Sequence, residues 1–416
     1  MDREAANRPM RRTALVAKEL GRYNIDIAAL SETRFAEEGQ LREDGSGYTF
    51  FWSGRTNEVR RESGVGFAIK NHLVSKLSSL PKGTNDRLIS LRIPLTKDRH
   101  AVLVSAYAPT MTNPEDIKEK FYEDLDNLLK TVPSQDKLFV LGDFNARVGI
   151  DFETWKGIIG RNGVGKCNSN GLLLLETCAE HQLLITNTVF RLPHRNRTSW
   201  MHPRSKHWHL IDYVLTRRKD RRDVLVTKSM CGADCWTDHK LIVSKLSLQI
   251  LPKRRPQGQK VVKKLDISKL NVPAKKDKFI EDLNNELKDI KTNPTDPEEN
   301  WTNLKVTIQK TALETLGPAK RRHQDWFDEN DPAIQVLLDK KHKLHKEYLN
   351  DKSDSRRDTY KNARLSLDSN LNSMRNTWLS NKADEIQLAA DQNNSKKCYD
   401  AIKAIYGPQS KTIIVG

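Results

Sequence analysis

Two short motifs combine residue types that suit hydrolysis of a phosphate ester. Gly142-Asp143-Phe144-Asn145 sets a carboxylate and a carboxamide two positions apart, and Thr237-Asp238-His239 sets a carboxylate beside an imidazole. Acid, amide and imidazole together are what metal-assisted attack of water on phosphorus needs. The apolar run Leu138-Phe139-Val140-Leu141 leads into the first motif and predicts a buried strand, so the motif falls at the rim of a sheet. A second apolar run, Leu241-Ile242-Val243, follows the other motif.

Further candidates stand at similar places. Glu32 follows the expected strand Ile25–Leu30, and Tyr107 closes Ala101–Tyr107, where a phenol can donate to a phosphate oxygen. If Asp143 and Asn145 lie in extended chain, their side chains share a face while Phe144 points into the core. The alternative is an Asx turn capping the strand. Asp212 lies inside the apolar run Leu210-Ile211-Asp212-Tyr213-Val214, where a charge must be paired. His239 is its natural partner, and a nearby arginine is the alternative. His202, His207 and His209 surround Trp208 in an arginine-bearing loop that includes Arg197. No acidic or Cys set completes a metal site there, so the loop reads as a nucleic-acid contact, with Trp200 or Trp208 stacking. A plain hydrophobic anchor competes with that reading.

These residues need strands and helices to hold them. Strands are expected at Tyr48–Trp52, Val65–Ile69, Leu88–Ile93, Leu183–Asn187, Ile211–Leu215 and Leu241–Leu246. Helices are expected at Arg12–Tyr23, after Pro114, and at Asn170–His181. The order predicts two packed sheets with helices outside over residues 1–248. Residues 249–278 are rich in Lys, Arg, Pro and Gln and read as a linker. Residues 279–416 read as a helical extension, with Ile334–Leu349 and Arg364–Ile386 as long charged helices and Trp301, Trp326, Trp378 and Tyr399 as apolar anchors.

The formal net charge is +17, and it is clustered: residues 191–222 and 251–280 each hold ten Lys/Arg against two Asp. Clustered positive charge points to a polyanion, nucleic acid first. Solvated basic loops are the bland alternative. Five Cys make no disulfide framework, and Cys231 with Cys235 lacks a second pair for zinc. Reduced thiols fit an intracellular protein. No apolar run reaches membrane-spanning length, and the N-terminus lacks a signal-peptide core. Lys253-Arg254-Arg255-Pro256 with Lys263-Lys264 suggests nuclear residence.

Taken in order, Ser31-Glu32-Thr33-Arg34, Tyr107-Ala108-Pro109, Gly142-Asp143-Phe144-Asn145, Ser199-Trp200 with Ile211-Asp212-Tyr213, and Thr237-Asp238-His239 resemble the endonuclease/exonuclease/phosphatase superfamily. Within it the pattern is most similar to the apurinic-like endonuclease domain of non-LTR (LINE-type) retrotransposons. The resemblance implies a four-layer α/β sandwich. It implies Mg²⁺, with Mn²⁺ an alternative, held by Glu32 with help from Asp238. By the same resemblance Asp143 activates water, Asn145 orients it, and Tyr107 contacts the phosphate. His239, oriented by Asp212, stabilises the pentavalent state. Ser199 and Asn170 match residues that line the family's cleft, and Arg197 and Trp200 fall on the substrate side. DNA is the implied partner, with no membrane association and a monomeric state. The resemblance also leads one to expect a first strand carrying an Asn ahead of the segment beginning at Arg3; none precedes it in these residues, which predicts a sandwich lacking that N-terminal strand. Three functions follow as expectations: a nicking endonuclease, a phosphatase on a small phosphoester, or a non-catalytic nucleic-acid-binding remnant.

Overall fold

The computed structural model describes residues 11–412 apart from 44, 57, 60–61, 97, 235–236, 252–264, 266–268, 271–272, 289–296, 318–324 and 406–410. Residues 1–10, to which the expected lack of a first strand refers, Cys235 of the pair with Cys231, and the basic clusters at 253–256 and 263–264 lie outside the described residues. Contacts divide the chain into Met1–Lys253 with Gln324–Gly416, and Arg254–His323. Composition draws its boundaries elsewhere, at 248 and 278, because a change in residue type does not show which helices find an apolar surface to cover.

The first unit is built on two sheets. Helix α1 (Arg12–Arg22) precedes the first sheet, whose strands are β1 (Ile27–Ser31), β2 (Glu38–Glu43), β3 (Tyr48–Ser53) and β4 (Val65–Lys70), in the order β1-β4-β3-β2, with the two-residue strand Lys411–Thr412 pairing antiparallel on the outer side of β2. Every residue of β3 is buried, as expected of a strand covered on both faces. A short helix, α2 (Asn71–Val74), leads to the second sheet. There β5 (Lys82–Gly83), β6 (Leu88–Pro94) and β7 (His100–Tyr107) run antiparallel. Helix α3 (Glu115–Lys130) then crosses over, so β8 (Lys137–Asp143) pairs parallel with β7. After α4 (Ser169–Glu180) comes β9 (Leu183–Ile185). A separate hairpin of β10 (Trp200–Met201) and β11 (Trp208–His209) precedes β12 (Asp212–Arg217), which inserts between β8 and β9. β13 (Val224–Met230) and β14 (Leu241–Leu246) form a two-stranded ribbon.

The apolar clusters define the layers. Phe51, Val65, Phe67 and Ile69 of the first sheet meet Ile89, Leu91, Leu103 and Phe139 of the second. The outer face of the second sheet carries Phe121, Leu125 and Leu129 of α3 and Leu174, Leu175 and Cys178 of α4. The outer face of the first sheet carries Ala17 and Leu20 of α1. The result is a helix–sheet–sheet–helix sandwich, as the order of elements predicted.

The other face of α1 is covered as well. Ala14 and Leu15 join Trp326 and Phe327 of α7 (Trp326–Glu329), Ile334 and Leu338 of α8 (Asp331–Asn350), and Leu367, Leu371 and Trp378 of α9 (Asp354–Asp391) in one buried cluster. To number the remaining helices in chain order, α5 (Pro273–Lys288) and α6 (Pro297–Thr315) belong to the second unit and α10 (Ser395–Ile405) follows α9. In that second unit Thr315 donates to Asp282 at 3.1 Å and Lys310 pairs with Glu286 at 3.4 Å. Of the four expected aromatic anchors, Trp326 and Trp378 are buried, whereas Trp301 and Tyr399 are 60% and 67% exposed. Only the first pair lies on the faces that meet α1.

Several strands were not expected: the two-residue β5, β10, β11 and Lys411–Thr412, and the longer β2 and β13. β2 is rich in charge and β13 carries Lys and Ser between its apolar residues, so neither shows a strong strand pattern, and each forms because a neighbour offers it a ladder. Leu183–Asn187 is strand only to Ile185. It then tightens into a 3₁₀ turn, where the Thr186 hydroxyl donates to Val214 O at 2.7 Å. Among the described residues no helix is long and apolar enough to cross a membrane.

Candidate active site

Register builds the site. In the parallel pair Tyr107 of β7 lies opposite Asp143 of β8, and in the antiparallel pair Asp143 lies opposite Asp212 of β12. Directly opposed residues project on the same face of a sheet. The three side chains therefore form a row across three strand ends, on the face where Tyr107 packs into the layer between the sheets. Asp212 is the first residue of its strand, which is why the sequence can set a carboxylate in an apolar run.

His239 joins from the segment between β13 and β14, bridged to Trp200 of the hairpin. Its Nδ1 faces Asp212 Oδ2 at 3.0 Å and Oδ1 at 3.2 Å. Ligating atoms of Asp143, Asp212 and His239 all fall within 4.8 Å of one another. Glu32 enters from the first sheet, just past β1, and the Tyr107 hydroxyl donates to its Oε1 at 2.9 Å. Arg34 Nη2 donates to its Oε2 at 3.0 Å. Two site residues hold left-handed backbone, Glu32 at φ 51° and Asn145 at φ 47°. Asn tolerates that region and Glu does so at a cost, and such strain concentrates where side chains are aimed for function.

Electrostatics follow from burial and from charges that face each other. Burial and the charge of Asp212 push the Asp143 carboxyl well above the ordinary carboxylate range, against the pull of His239 and the Asn145 N–H. Burial pushes the His239 imidazole down, but the charge and hydrogen bond of Asp212, with the charges of Asp143 and Asp238, lift it to about 9. At neutral pH the ring is cationic. Burial and the Glu32 carboxylate push the Tyr107 phenol up, so it is a proton donor. Two facing carboxylates, one crowded into holding a proton, make a site that a cation would relieve.

Several expected residues sit differently from their simplest reading. The segment after Asp143 is not extended. Phe144 is buried as expected, but the chain turns at Asn145, whose N–H donates to Asp143 Oδ1 at 2.9 Å. Asp143 is thus both an Asx-type cap and a member of the site. The Asn145 amide donates to Ala108 O at 3.0 Å. Asn170 donates to Pro109 O and Asn145 O, tying two rim loops together, and its Oδ1 is buried with no protein partner among the described residues. Ser199 is fully buried, and its hydroxyl accepts the N–H groups of Ile211 and Asp212 at 3.1 and 3.2 Å. It positions the start of β12 and does not face the cleft. Arg197 donates to the carbonyls of Asn162 and Gly163 and fastens a loop. The Tyr107 proton is engaged by Glu32, and Asp238, exposed, accepts the Trp200 indole N–H at 2.8 Å. Trp208 lies under the Lys240 ammonium at 3.5 Å from its ring centre.

Two supporting residues escaped the sequence reading. Arg34 anchors Glu32. Asn187 donates to Asp212 O at 3.1 Å and accepts from Val214 N at 2.9 Å, which holds β12 in place. Arg34 stood in the quoted motif, but nothing local marks Asn187, because its partners lie 25 and 27 residues away.

A sandwich of this kind, with carboxylates and an imidazole converging where the strands of one sheet end, presents the side-chain types that suit work on a phosphate ester. The chain belongs to the Endonuclease/Exonuclease/phosphatase family, whose pattern matches residues 1–239. It is 36% identical over 241 residues to craniofacial development protein 2 of Bos taurus, covering 58% of this chain and 39% of that protein. The Tragulus javanicus protein of the same name is 35% identical, with 58% and 41% covered. The chain thus spans about two fifths of the length of these curated relatives. Among solved structures it is similar to the Xenopus laevis APE2 catalytic domain (17% identity, TM-score 0.43, 59% and 91% covered). It is also similar to the endonuclease domain of TRAS1, a telomere-specific non-LTR retrotransposon (18%, 0.39, 57% and 93%).

Proposed function

We propose that the protein is a divalent-metal-dependent endonuclease that hydrolyses a DNA phosphodiester bond and leaves a nick ending in a 3′-hydroxyl. The observation that carries this reading is the convergence of Asp143, Asp212 and His239 within 4.8 Å, with Glu32 hydrogen-bonded to Tyr107, the residue opposite Asp143 in the sheet. In this reading Asp143 takes a proton from the attacking water in its charged form, which a cation beside the Asp143–Asp212 pair would restore. The backbone turn at Asn145 holds that carboxylate in place. His239, kept cationic by Asp212, neutralises charge that builds on the phosphate oxygens. The donor set suits a magnesium or manganese ion: Glu32 would hold it, with Asp238 at the exposed edge and the Asp143–Asp212 pair facing it. When bound, the ion supplies Lewis-acid neutralisation of the phosphate.

Charge favours DNA over a small phosphoester. The β10–β11 turn exposes Arg204, Lys206 and His207, and its Trp200 contacts the site through Asp238 and His239. Such a hairpin would meet the phosphate backbone beside the cleft.

The test is supercoiled plasmid incubated with the full chain, with and without Mg²⁺, beside Asp143→Ala and His239→Ala. Metal-dependent nicking that each substitution lowers by at least about 10²-fold is expected. Plasmid binding without nicking would replace this reading with the non-catalytic one. Turnover of a small phosphomonoester with intact plasmid would replace it with the phosphatase.

A further inference from the structure

We propose that helices α8 and α9 are part of the site's machinery, and that Asp234 is the positioning residue through which they hold the segment presenting Asp238 and His239. The inference rests on the nuclease reading above, in which His239 acts on the phosphate.

The segment between β13 and β14 touches the helices before it reaches the site. Gly232 O accepts from Arg22 Nη2 of α1 at 2.8 Å. Asp234, 7% exposed, is then held at three of its groups. Its N–H donates to Glu19 Oε1 at 3.1 Å. Its carbonyl accepts from Lys341 Nζ of α8 at 3.3 Å. Its Oδ2 accepts the Tyr360 hydroxyl of α9 at 2.5 Å and pairs with Lys341 Nζ at 3.3 Å. The holders are themselves fixed. Lys341 has no exposed surface, and a buried ammonium is tolerable only beside a counter-charge. The Tyr360 ring is stacked on His345 and Tyr348, with centroids 4.5 and 6.2 Å away and planes within 14° and 6°.

Five residues later the same segment reaches His239. There it is tied to the sheet by Asp212, by the bridge to Trp200, and by Lys240 N donating to Ser199 O at 2.7 Å. Asp234 is therefore held by the helices, and His239, five positions on, by the second sheet. Without the hold at Asp234 the imidazole keeps its partner Asp212, but the chain feeding it is free to shift. Misplacement by about 1 Å is enough to cost about 10²-fold in rate. The helices do not need Asp234 to stay docked, because the cluster of Trp326, Phe327, Ile334, Leu338, Leu371 and Trp378 on α1 does that separately.

The experiment compares the full chain with Asp234→Ala, Tyr360→Phe, His239→Ala and the control Asp358→Ala, an exposed residue of α9. Plasmid-nicking kinetics and hydrogen exchange are measured on each. Asp234→Ala should lower kcat by about ten- to a hundredfold with KM within about twofold, the pattern of a lost transition-state alignment. Exchange of the 237–240 amides should rise by about tenfold, with α8, α9 and β8 unchanged. Tyr360→Phe should move both readouts the same way by less, and Asp358→Ala should move neither. Unchanged kcat and unchanged 237–240 exchange in Asp234→Ala, while His239→Ala abolishes nicking, overturns the inference and leaves the nuclease standing. Exchange rising equally throughout α8 and α9 also overturns it, since Asp234 would then only support the fold. If the unsubstituted chain does not nick, the nuclease reading fails and the exchange data decide the clamp by themselves. If Asp234→Ala does not fold, Tyr360→Phe decides by the same two readouts.

Discussion

Substituting Glu19→Gln tests the electrostatics that join α1 to α8 without touching the row of strand-end residues. The side chain is 3% exposed. Its Oε1 accepts from Arg22 Nη2 at 2.6 Å and from Asp234 N at 3.1 Å. Its Oε2 accepts from Arg22 Nε at 2.9 Å and faces His342 Nε2 at 3.1 Å. Burial alone pushes this carboxyl up, but the hydrogen bond and charge of His342, with those of Arg22, outweigh it and hold the group at about 2 against an ordinary 4.5. A depression of that size corresponds to about 3 kcal/mol in favour of the charged, folded form. Because the folded value lies below the unfolded one, this stability is fully present above about pH 5. It is lost as pH falls through 4.5 toward about 2. The glutamine variant never has it. An amide NH₂ turned toward donors adds a pH-independent cost of about 1 kcal/mol. Urea unfolding followed by tryptophan fluorescence should show a deficit of about 3–4 kcal/mol at neutral pH. The deficit should shrink to about 1 kcal/mol in strong acid. A deficit of the same size at every pH, or one below about 1 kcal/mol at neutral pH, would refute the reasoning.

Asp212→Asn should lower the His239 imidazole from about 9, since burial is then opposed by less charge; a midpoint that stays put in an NMR titration of the His239 ring would sink the pairing argument. Gly142→Ala should destabilise by about 2–3 kcal/mol, because the added Cβ would lie 1.8 Å from Ala106 O on β7; thermal unfolding reads this, and an unchanged Tm would mean that the strands separate more readily than their packing indicates. Ser199→Ala should cost about 1–3 kcal/mol by leaving two buried N–H groups without their acceptor, with KM unchanged; raised KM at unchanged Tm would return Ser199 to the substrate. Chelating divalent ions should stop nicking while leaving the circular dichroism spectrum in place, and nicking that survives chelation would remove the metal from the proposal.

The parts that short-range pattern controls were legible in the chain. Alternating and continuous apolar runs at Leu88–Ile93, Ala101–Tyr107 and Leu138–Leu141 mark strands because a period of two, or an unbroken buried run, is a local property of the backbone. The Gly142–Asn145 motif falls at a strand end for the same reason. The pairing of Asp212 with His239 was legible because a carboxylate in an apolar run must find a partner and the imidazole was the natural one. Helices at Asp331–Asn350 and Asp354–Asp391 were legible in kind though not in extent.

What pattern could not reach is everything that depends on which elements become neighbours. Tyr107 reads as a phosphate donor until register and the packing of two sheets bring Glu32 to its hydroxyl. Ser199 reads as a cleft hydroxyl until the fold buries it under the start of β12. Lys341 and Asp234 look like surface charges 107 residues apart, yet the packing of α8 on α1 makes them a buried pair. By itself, then, the sequence determined the elements and the chemical types available at their ends, because those follow from periodicity and side-chain chemistry within a few residues. Tertiary structure alone decided which of those groups face each other, because strand register and helix docking are settled by burial of surfaces that distant segments share.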